Sequence, residues 1–435
     1  MRRRATFLTN GHTAAPPRAS LTQAPPGKPI RLSEHTRPTR AHHAVLLAAW
    51  AGWLFDFYDL VLYTFLLAPI GAELGFGRPQ HAWILGLSLG STALGGLFFG
   101  ALADRIGRRP VLQVTILTYS AGAFLSGLAV DLPTLAAARI VTGLGVGGEW
   151  ATGHALVSEV FPPRLRGRYG ALMQTGAPLG VGLAALAGSF LAPAIGWRAT
   201  FMISALPALL VTFIRRRVPE SDVWRTKSRA PRAWTTLMTG AMAWRTIRAF
   251  VLTTCNMSAY WITFTWLPTY LREERALGVA RSGLWILVIV CGELLGYLSF
   301  GTVSDRWGRK RAFTLYASLM GAGLLAITLG WAWVATNTVL LLAAMAIVGI
   351  GTGTWSNFGP FFSELFPTSV RTTAMGLVYN SARGIQFAAP VVVQAISEEH
   401  RLSGGIALAA GFAFAAAAWV WTLPETRARI IRPDE

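Results

Sequence analysis

The chain has 435 residues, 53% of them hydrophobic and only 14% charged, with a formal net charge of +19. Soluble domains carry about 25% charged residues, so this balance argues against a water-soluble enzyme or binding module. Cys255 and Cys291 both fall in apolar stretches, which argues against a disulfide framework or a zinc site.

Residues 1–43 are rich in Arg, Pro and Thr and lack the apolar core of a secretory signal. They read as a disordered basic cytoplasmic tail. Twelve apolar stretches follow, each about 20 residues or longer and able to cross a bilayer core of about 30 Å. Six of them (44–70, 82–103, 110–130, 133–157, 169–190 and 195–214) make an N-terminal bundle over 44–214. A polar linker, 215–246, opens on Arg215-Arg216-Arg217. Six more (247–270, 283–304, 311–332, 337–362, 372–395 and 405–423) make a C-terminal bundle over 247–423, and 424–435 form a short cytoplasmic tail.

The basic residues fix an orientation. If both termini are cytoplasmic, the inner segments hold 30 of the 39 Lys and Arg, and the outer loops hold six. That asymmetry follows the positive-inside rule. The charge then serves topology and attraction to anionic lipid, not nucleic-acid binding. Arg outnumbers Lys 36 to 3, which suggests a GC-rich bacterial genome and places the chain in a bacterial inner membrane.

The two bundles repeat one another. Gly100-Ala-Leu-Ala-Asp104-Arg105-Ile-Gly107-Arg108-Arg109 returns as Gly301-Thr-Val-Ser-Asp305-Arg306-Trp-Gly308-Arg309-Lys310. Ser158-Glu159-Val160-Phe161-Pro162 and Arg166 return 205 residues later as Ser363-Glu364-Leu365-Phe366-Pro367 and Arg371. Val218-Pro219-Glu220-Ser221 aligns with Leu423-Pro424-Glu425-Thr426. A duplicated membrane unit is the usual architecture of a secondary transporter.

The Gly-x-x-x-Asp-Arg-x-Gly-Arg-Arg/Lys loop after spans 2 and 8 resembles the signature loop of the major facilitator superfamily. Arg139-x-x-x-Gly143-x-Gly145 in span 4 resembles that superfamily's second motif. The resemblance covers about 44–425. It implies an all-α membrane protein of twelve transmembrane helices in two pseudo-symmetric six-helix bundles, with spans 1, 4, 7 and 10 lining a midplane cavity. Asp56-Phe57-Tyr58-Asp59 and Gly147-Gly148-Glu149-Trp150 look like the proton symporters of organic acids, of the aromatic-acid and sialate/lactate type. Phe57 stands where those often have glycine.

Ionisable groups at membrane depth carry the chemistry. An Asp at the centre of a span costs about 2.5–3.5 kcal/mol on insertion scales, and such groups usually face a partner or a wet path. Asp56 and Asp59 lie near the middle of span 1, on one helix face at i and i+3. Asp59 is placed slightly ahead of Asp56 as the coupling carboxylate. Arg139 falls within side-chain reach of Asp59 if spans 1 and 4 pack together. Glu149 is a further proton-site candidate. His154, one turn on, reads as a relay or as a satisfied histidine near the membrane edge.

Arg383 in span 11 is the candidate for holding an anionic substrate in a fork of hydrogen bonds. The competing reading pairs it with Glu293 of span 8 or with helix-end carbonyls. Asn256, Tyr260, Trp355 and Asn357 are candidate cavity groups of spans 7 and 10. The resemblance implies a cytoplasmic ion-pair gate from Asp104, Arg105, Arg108, Glu159 and Arg166 in one half and Asp305, Arg306, Arg309, Glu364 and Arg371 in the other. Topology-setting charge alone is the alternative.

The expected function is proton-coupled symport of a small organic anion by alternating access, with a sugar or polyol symporter and a drug:proton antiporter as alternatives. Its partners are the organic anion, protons and the lipid bilayer. A monomer is expected, without nucleic acid, cofactor or metal.

Overall fold

The computed structural model describes residues 32–35, 37–226, 233–276, 279–386 and 389–431. Side chains of 78, 79 and 82, of 233, 268 and 272, and of 279–286 and 389–401 lie outside the described part, as does most of the expected N-terminal tail. Among the described residues there is no strand.

The N-terminal half contains α1 (Arg40–Phe65), α2 (Arg78–Ile106), α3 (Arg108–Gly127) and α4 (Leu132–Val160). An apolar segment, Arg166–Arg217, follows. At 52 residues and about 1.5 Å per residue it is too long for one crossing. It divides at Gly196, where φ is +84°. Its first part is α5, built from Arg166–Gln174, Gly176–Leu186 and a π turn at Ala187–Leu191. Its second part is α6, which begins after Gly196 within Ala192–Ile203 and continues through Leu206–Leu209 and Leu210–Arg217. The C-terminal half contains α7 (Gly240–Thr269), α8 (Val279–Trp307) and α9 (Arg309–Thr328). It continues with α10 (Thr338–Gly351, then Trp355–Leu365), α11 (Arg371–Ile385) and α12 (Ala389–Trp419). The linker is shorter than the composition suggests, because α6 runs on to Arg217 and α7 starts at Gly240. Polar residues in these end turns extend both helices beyond the apolar stretch.

Local chemistry sets several ends. Asp131 caps α4 by accepting from the Thr134 amide at 2.9 Å, with Pro133 in the first turn. Asn337 caps α10 by accepting from the Val339 amide at 2.8 Å. Between α2 and α3, Gly107 has φ +117°, and between α8 and α9, Gly308 has φ +103°. Only glycine adopts such angles without strain, which accounts for the glycine late in each signature loop.

Within the N-terminal half α2 and α3 pack on α4, and α1 packs on α5. Within the C-terminal half α8 and α9 pack on α10, and α7 packs on α12. The halves meet α2 against α11 and α8 against α5, which are equivalent pairings under the repeat. Small residues permit this closeness. A Cβ on Gly376 of α11 would strike the Gly96 carbonyl of α2.

Candidate functional site

Two layers of polar groups lie inside this fold: one at the helix ends that carry the signature loops, called here the basic end, and one near mid-depth.

At the basic end the loop residues build the same device twice. Arg108 Nη1 donates to Asp104 at 2.9 Å, and its Nε and Nη2 form a fork on Glu159 at 3.3 and 3.0 Å. Arg309 donates to Asp305 at 2.9 Å and forks on Glu364 at 3.0 and 2.9 Å. Each Asp and its Arg are four residues apart and so share a helix face. Bidentate guanidinium–carboxylate pairs are the strong form of this bond.

Each Asp then reaches into the other half. Asp104 accepts from the Thr372 and Thr373 amides at 3.2 and 2.8 Å, at the start of α11. Asp305 accepts from the Gly167 and Arg168 amides, both at 3.0 Å, at the start of α5. Carboxylates are favoured at helix N-termini. Arg371 donates to Glu159 across the halves at 2.5 Å, whereas Arg166 stands 3.8 Å from Glu364. The expected gate residues are therefore brought together, with two exceptions. Arg105 and Arg306 are exposed and enter none of these pairs. Each directly follows its Asp, and a one-residue step turns it about 100° around the helix, away from the other half.

The Pro-Glu-Ser/Thr step completes the device, a role not read from the sequence. Glu220 accepts from the Arg108 and Arg109 amides at 3.2 and 3.1 Å. Glu425 accepts from the Arg309 and Lys310 amides at 2.9 and 3.1 Å. Each Glu thus caps the first turn of α3 or α9. Burial pushes the Glu220 carboxyl above its ordinary range, against the pull of the Ser221 amide and Arg108. The available signal was the 205-residue offset from Glu220 to Glu425, the same as that from Glu159 to Glu364.

At mid-depth the halves differ. Arg139 Nη2 donates to Asp59 at 2.8 Å, with both side chains almost wholly buried. The Tyr63 and Phe201 rings flank its guanidinium at 5.4 and 5.6 Å. Asp56 is fully buried and neither of its carboxyl oxygens has a hydrogen-bond partner. The nearby ionisable groups acting on it are Arg383 of the other half, Asp59 and Glu149. The sequence reading placed Asp59 first; the geometry ties Asp59 to Arg139 and leaves Asp56 as the carboxyl without a partner.

Arg383 lies with its guanidinium carbon 5.5 Å from the Phe57 ring centre, and its buried Nη2 has no partner. It does not pair with Glu293. That carboxylate instead accepts from the Tyr260 and Tyr297 hydroxyls at 3.3 and 2.6 Å. The Glu293 arm of the alternative reading is therefore not what the structure shows: tyrosines on Glu293's own helix and on α7 hold that carboxylate.

Glu149 is fully buried and both its oxygens lack partners. It packs against α1 at Gly52, where an added Cβ would lie 2.5 Å from Oε1, so a side chain there would displace the carboxyl. His154 is fully buried, with Nε2 3.3 Å from Gln174 and Nδ1 set against Gly359 of the other half.

A cavity of about 110 Å³ opens beside these groups. Phe57, Gln174 and Ala177 line it from one half, and Tyr260, Glu293 and Trp355 from the other. Of the four candidate cavity residues, Tyr260 and Trp355 are thus on its wall. Asn256 and Asn357 are not among its lining residues, although both are buried with unpartnered amide atoms. Trp150 and Tyr379 stack across the halves at 3.7 Å and 15°. Asn380 donates across the same boundary to the Gly147 carbonyl at 3.0 Å. These cross-half contacts carry no sequence signal, because nothing in a single chain links 150 to 379. Among the described residues no cluster of His, Cys, Asp and Glu could hold a metal ion.

Comparison with known proteins agrees with this architecture. The model of the Major Facilitator Superfamily matches residues 48–300 and 279–435. The chain is 32% identical over 389 residues to a probable 4-methylmuconolactone transporter of Cupriavidus pinatubonensis, covering 87% of this chain and 90% of that one. It is 31% identical over 353 residues to the sialic acid transporter NanX of Escherichia coli, covering 81% and 86%. Among solved structures it resembles the proton:xylose symporter XylE, with a TM-score of 0.73, 17% identity, and coverage of 90% and 98%. That likeness is one of fold.

Proposed function

The chain belongs to the Major Facilitator Superfamily and is a transporter, not an enzyme; from that premise we propose that it is a proton-coupled symporter of a small organic carboxylate, working by alternating access. One observation carries the proposal. Asp56 and Arg383 come from opposite halves, both are buried, and each has polar atoms without a hydrogen-bond partner; neither lines the cavity itself, but Phe57, next to Asp56 in the chain and against the Arg383 guanidinium, does.

A buried charge is costly unless paired. An arriving carboxylate offers Arg383 the forked partner it lacks. Arg383 then no longer compensates Asp56, and a proton on Asp56 restores the balance. Anion and proton thus enter together because they share one cation. Asp59, held by Arg139, keeps its own compensation and serves as the fixed charge beside the site. Glu149 against Gly52 provides a second buried carboxyl on the proton's route.

The basic end is the cytoplasmic side in this reading, with both termini facing the cytoplasm of a bacterial cell. The interlocked loops then shut the inner end while the cavity serves the outer one. Exposed ion pairs are worth about 0–1 kcal/mol each; the buried forks here are stronger singly, and the bound cargo must help release them in every cycle. The organic-acid class is supported by the relatives named above, one described as carrying a lactone of a muconate and one a sialic acid.

Purified protein in liposomes tests the proposal. Labelled carboxylates are expected to accumulate when the outside is made acidic and to equilibrate only when no gradient is imposed. Accumulation driven by the opposite gradient would instead indicate an antiporter.

A further inference from the structure

Glu293 is not used by the coupling just described, yet among the described residues it is the only carboxylate lining the central cavity. Its side chain is held firmly, since the Tyr260 and Tyr297 hydroxyls both donate to Oε1. Both of these bonds fall on one oxygen, which leaves Oε2 as the acceptor on offer where the residue lines the cavity. The residue as a whole is only 4% exposed.

Much of the rest of the wall is aromatic, with Gln174, Ala177, Pro178 and Val181 of α5 and Val290 of α8 completing it. Tyr260 stacks on Phe264 at 4.3 Å and 24°, and meets Trp355 edge-on at 5.1 Å. Phe57 closes the other side and carries Arg383 on its ring. Flat apolar faces thus separate a cation from a fixed acceptor. At about 110 Å³ the cavity is of the order of the ~150 Å³ apolar hole that takes up benzene.

We propose that Glu293 is a specificity-determining residue: it selects ring-bearing carboxylic acids that carry a hydrogen-bond donor, a hydroxyl or a protonated nitrogen, away from the carboxylate. This rests on the organic-acid reading and narrows it. The cargo's carboxylate faces Arg383, its ring lies between Phe57 and the Tyr260–Trp355 wall, and its donor meets Glu293 Oε2. A cargo with no donor leaves a buried carboxylate facing an apolar edge, and a second carboxylate in that position meets like charge. Both are penalised, so the same residue attracts one class and rejects two others.

The test is binding to the detergent-solubilised full chain, read by quenching of tryptophan fluorescence, since Trp261 and Trp355 line the cavity. The probes are benzoate, 3- and 4-hydroxybenzoate, their methyl ethers, and isophthalate. At least one hydroxy acid should bind ~10-fold or more tightly than its ether, the discrimination expected of one hydrogen bond to a charged acceptor, and isophthalate should bind weakest. The preference should shrink in Glu293→Gln and vanish in Glu293→Met. Tyr297→Phe, which keeps the carboxylate but loosens it, should fall between wild type and Glu293→Gln, so the inference does not depend on one variant's folding. Equal binding of hydroxy acids and ethers by wild type, or a preference that survives Glu293→Met, overturns the role of Glu293 and leaves the organic-acid reading intact. Failure of every acid to bind wild type overturns that reading, and this inference with it.

Discussion

The two ends of the polar interior follow opposite rules. At the basic end the halves are near copies: Asp104 and Asp305 each take an Arg at 2.9 Å and two backbone amides from the facing helix. At mid-depth they are unlike. The N-terminal half supplies Asp56, Asp59, Arg139 and Glu149, and the C-terminal half supplies Arg383, Glu293 and most of the aromatic wall. Position 149 holds Glu where the repeat has Thr354. A latch that closes two halves against each other works best when both halves contribute alike. A cargo site needs opposite chemistry on its two sides. Symmetry therefore marks the gate, and its loss marks the site.

That contrast can be broken by substitution. The largest effect is expected from Arg108→Leu and Arg309→Leu. Each leaves a buried Asp without its cation and a buried Glu with only its second arginine, Arg371 for Glu159 and Arg166 for Glu364, and breaking a buried pair in this way costs about 3–5 kcal/mol. Thermal unfolding in detergent should show similar losses for the two variants, as near-copies require. A loss confined to one would mean that the halves do not share the latch equally.

Next is Arg383→Lys. Lysine keeps the charge but not the forked geometry. The half-saturation concentration for carboxylate uptake should rise about tenfold, consistent with a loss of roughly 1.4 kcal/mol, with thermal stability little changed. An unaltered value would remove Arg383 from cargo binding.

Glu220→Gln and Glu425→Gln sharpen the comparison at smaller scale. Each weakens a charged cap on α3 or α9, and caps of this kind are worth about 1 kcal/mol. Equal, modest drops in unfolding temperature are expected. The smallest effect belongs to Arg105→Ala and Arg306→Ala, which lie outside the ion-pair set despite sharing the motif. Stability should stay within about 0.5 kcal/mol of wild type, and a larger change would place them in the latch.

Much of the fold was legible because bilayer physics makes it so. Apolar length, basic asymmetry and the duplicated loop are one-dimensional signals. The Asp59–Arg139 pair was also within reach, since depth along two helices can be counted at a constant rise per residue. What the chain could not disclose was rotation. Whether Asp56 faces Arg383, or Glu293 faces Tyr260 and Tyr297, depends on how helices from opposite halves turn toward each other. The same holds for Arg105 and Arg306, which sequence proximity to Asp104 and Asp305 grouped with the gate and helical geometry removed from it. Glu220 and Glu425 were visible as a repeat, but their target, the first turn of α3 and of α9, is set by tertiary contact.

The central claim is that cargo and proton share Arg383, with Asp56 as the carboxyl that takes the proton. Proton uptake on carboxylate binding measures this directly, using a pH indicator in weakly buffered detergent solution. Wild type is predicted to take up protons as the carboxylate saturates it, and Asp56→Asn to bind the same acid with no uptake. Undiminished uptake in Asp56→Asn, or binding by wild type with no uptake, would contradict the account.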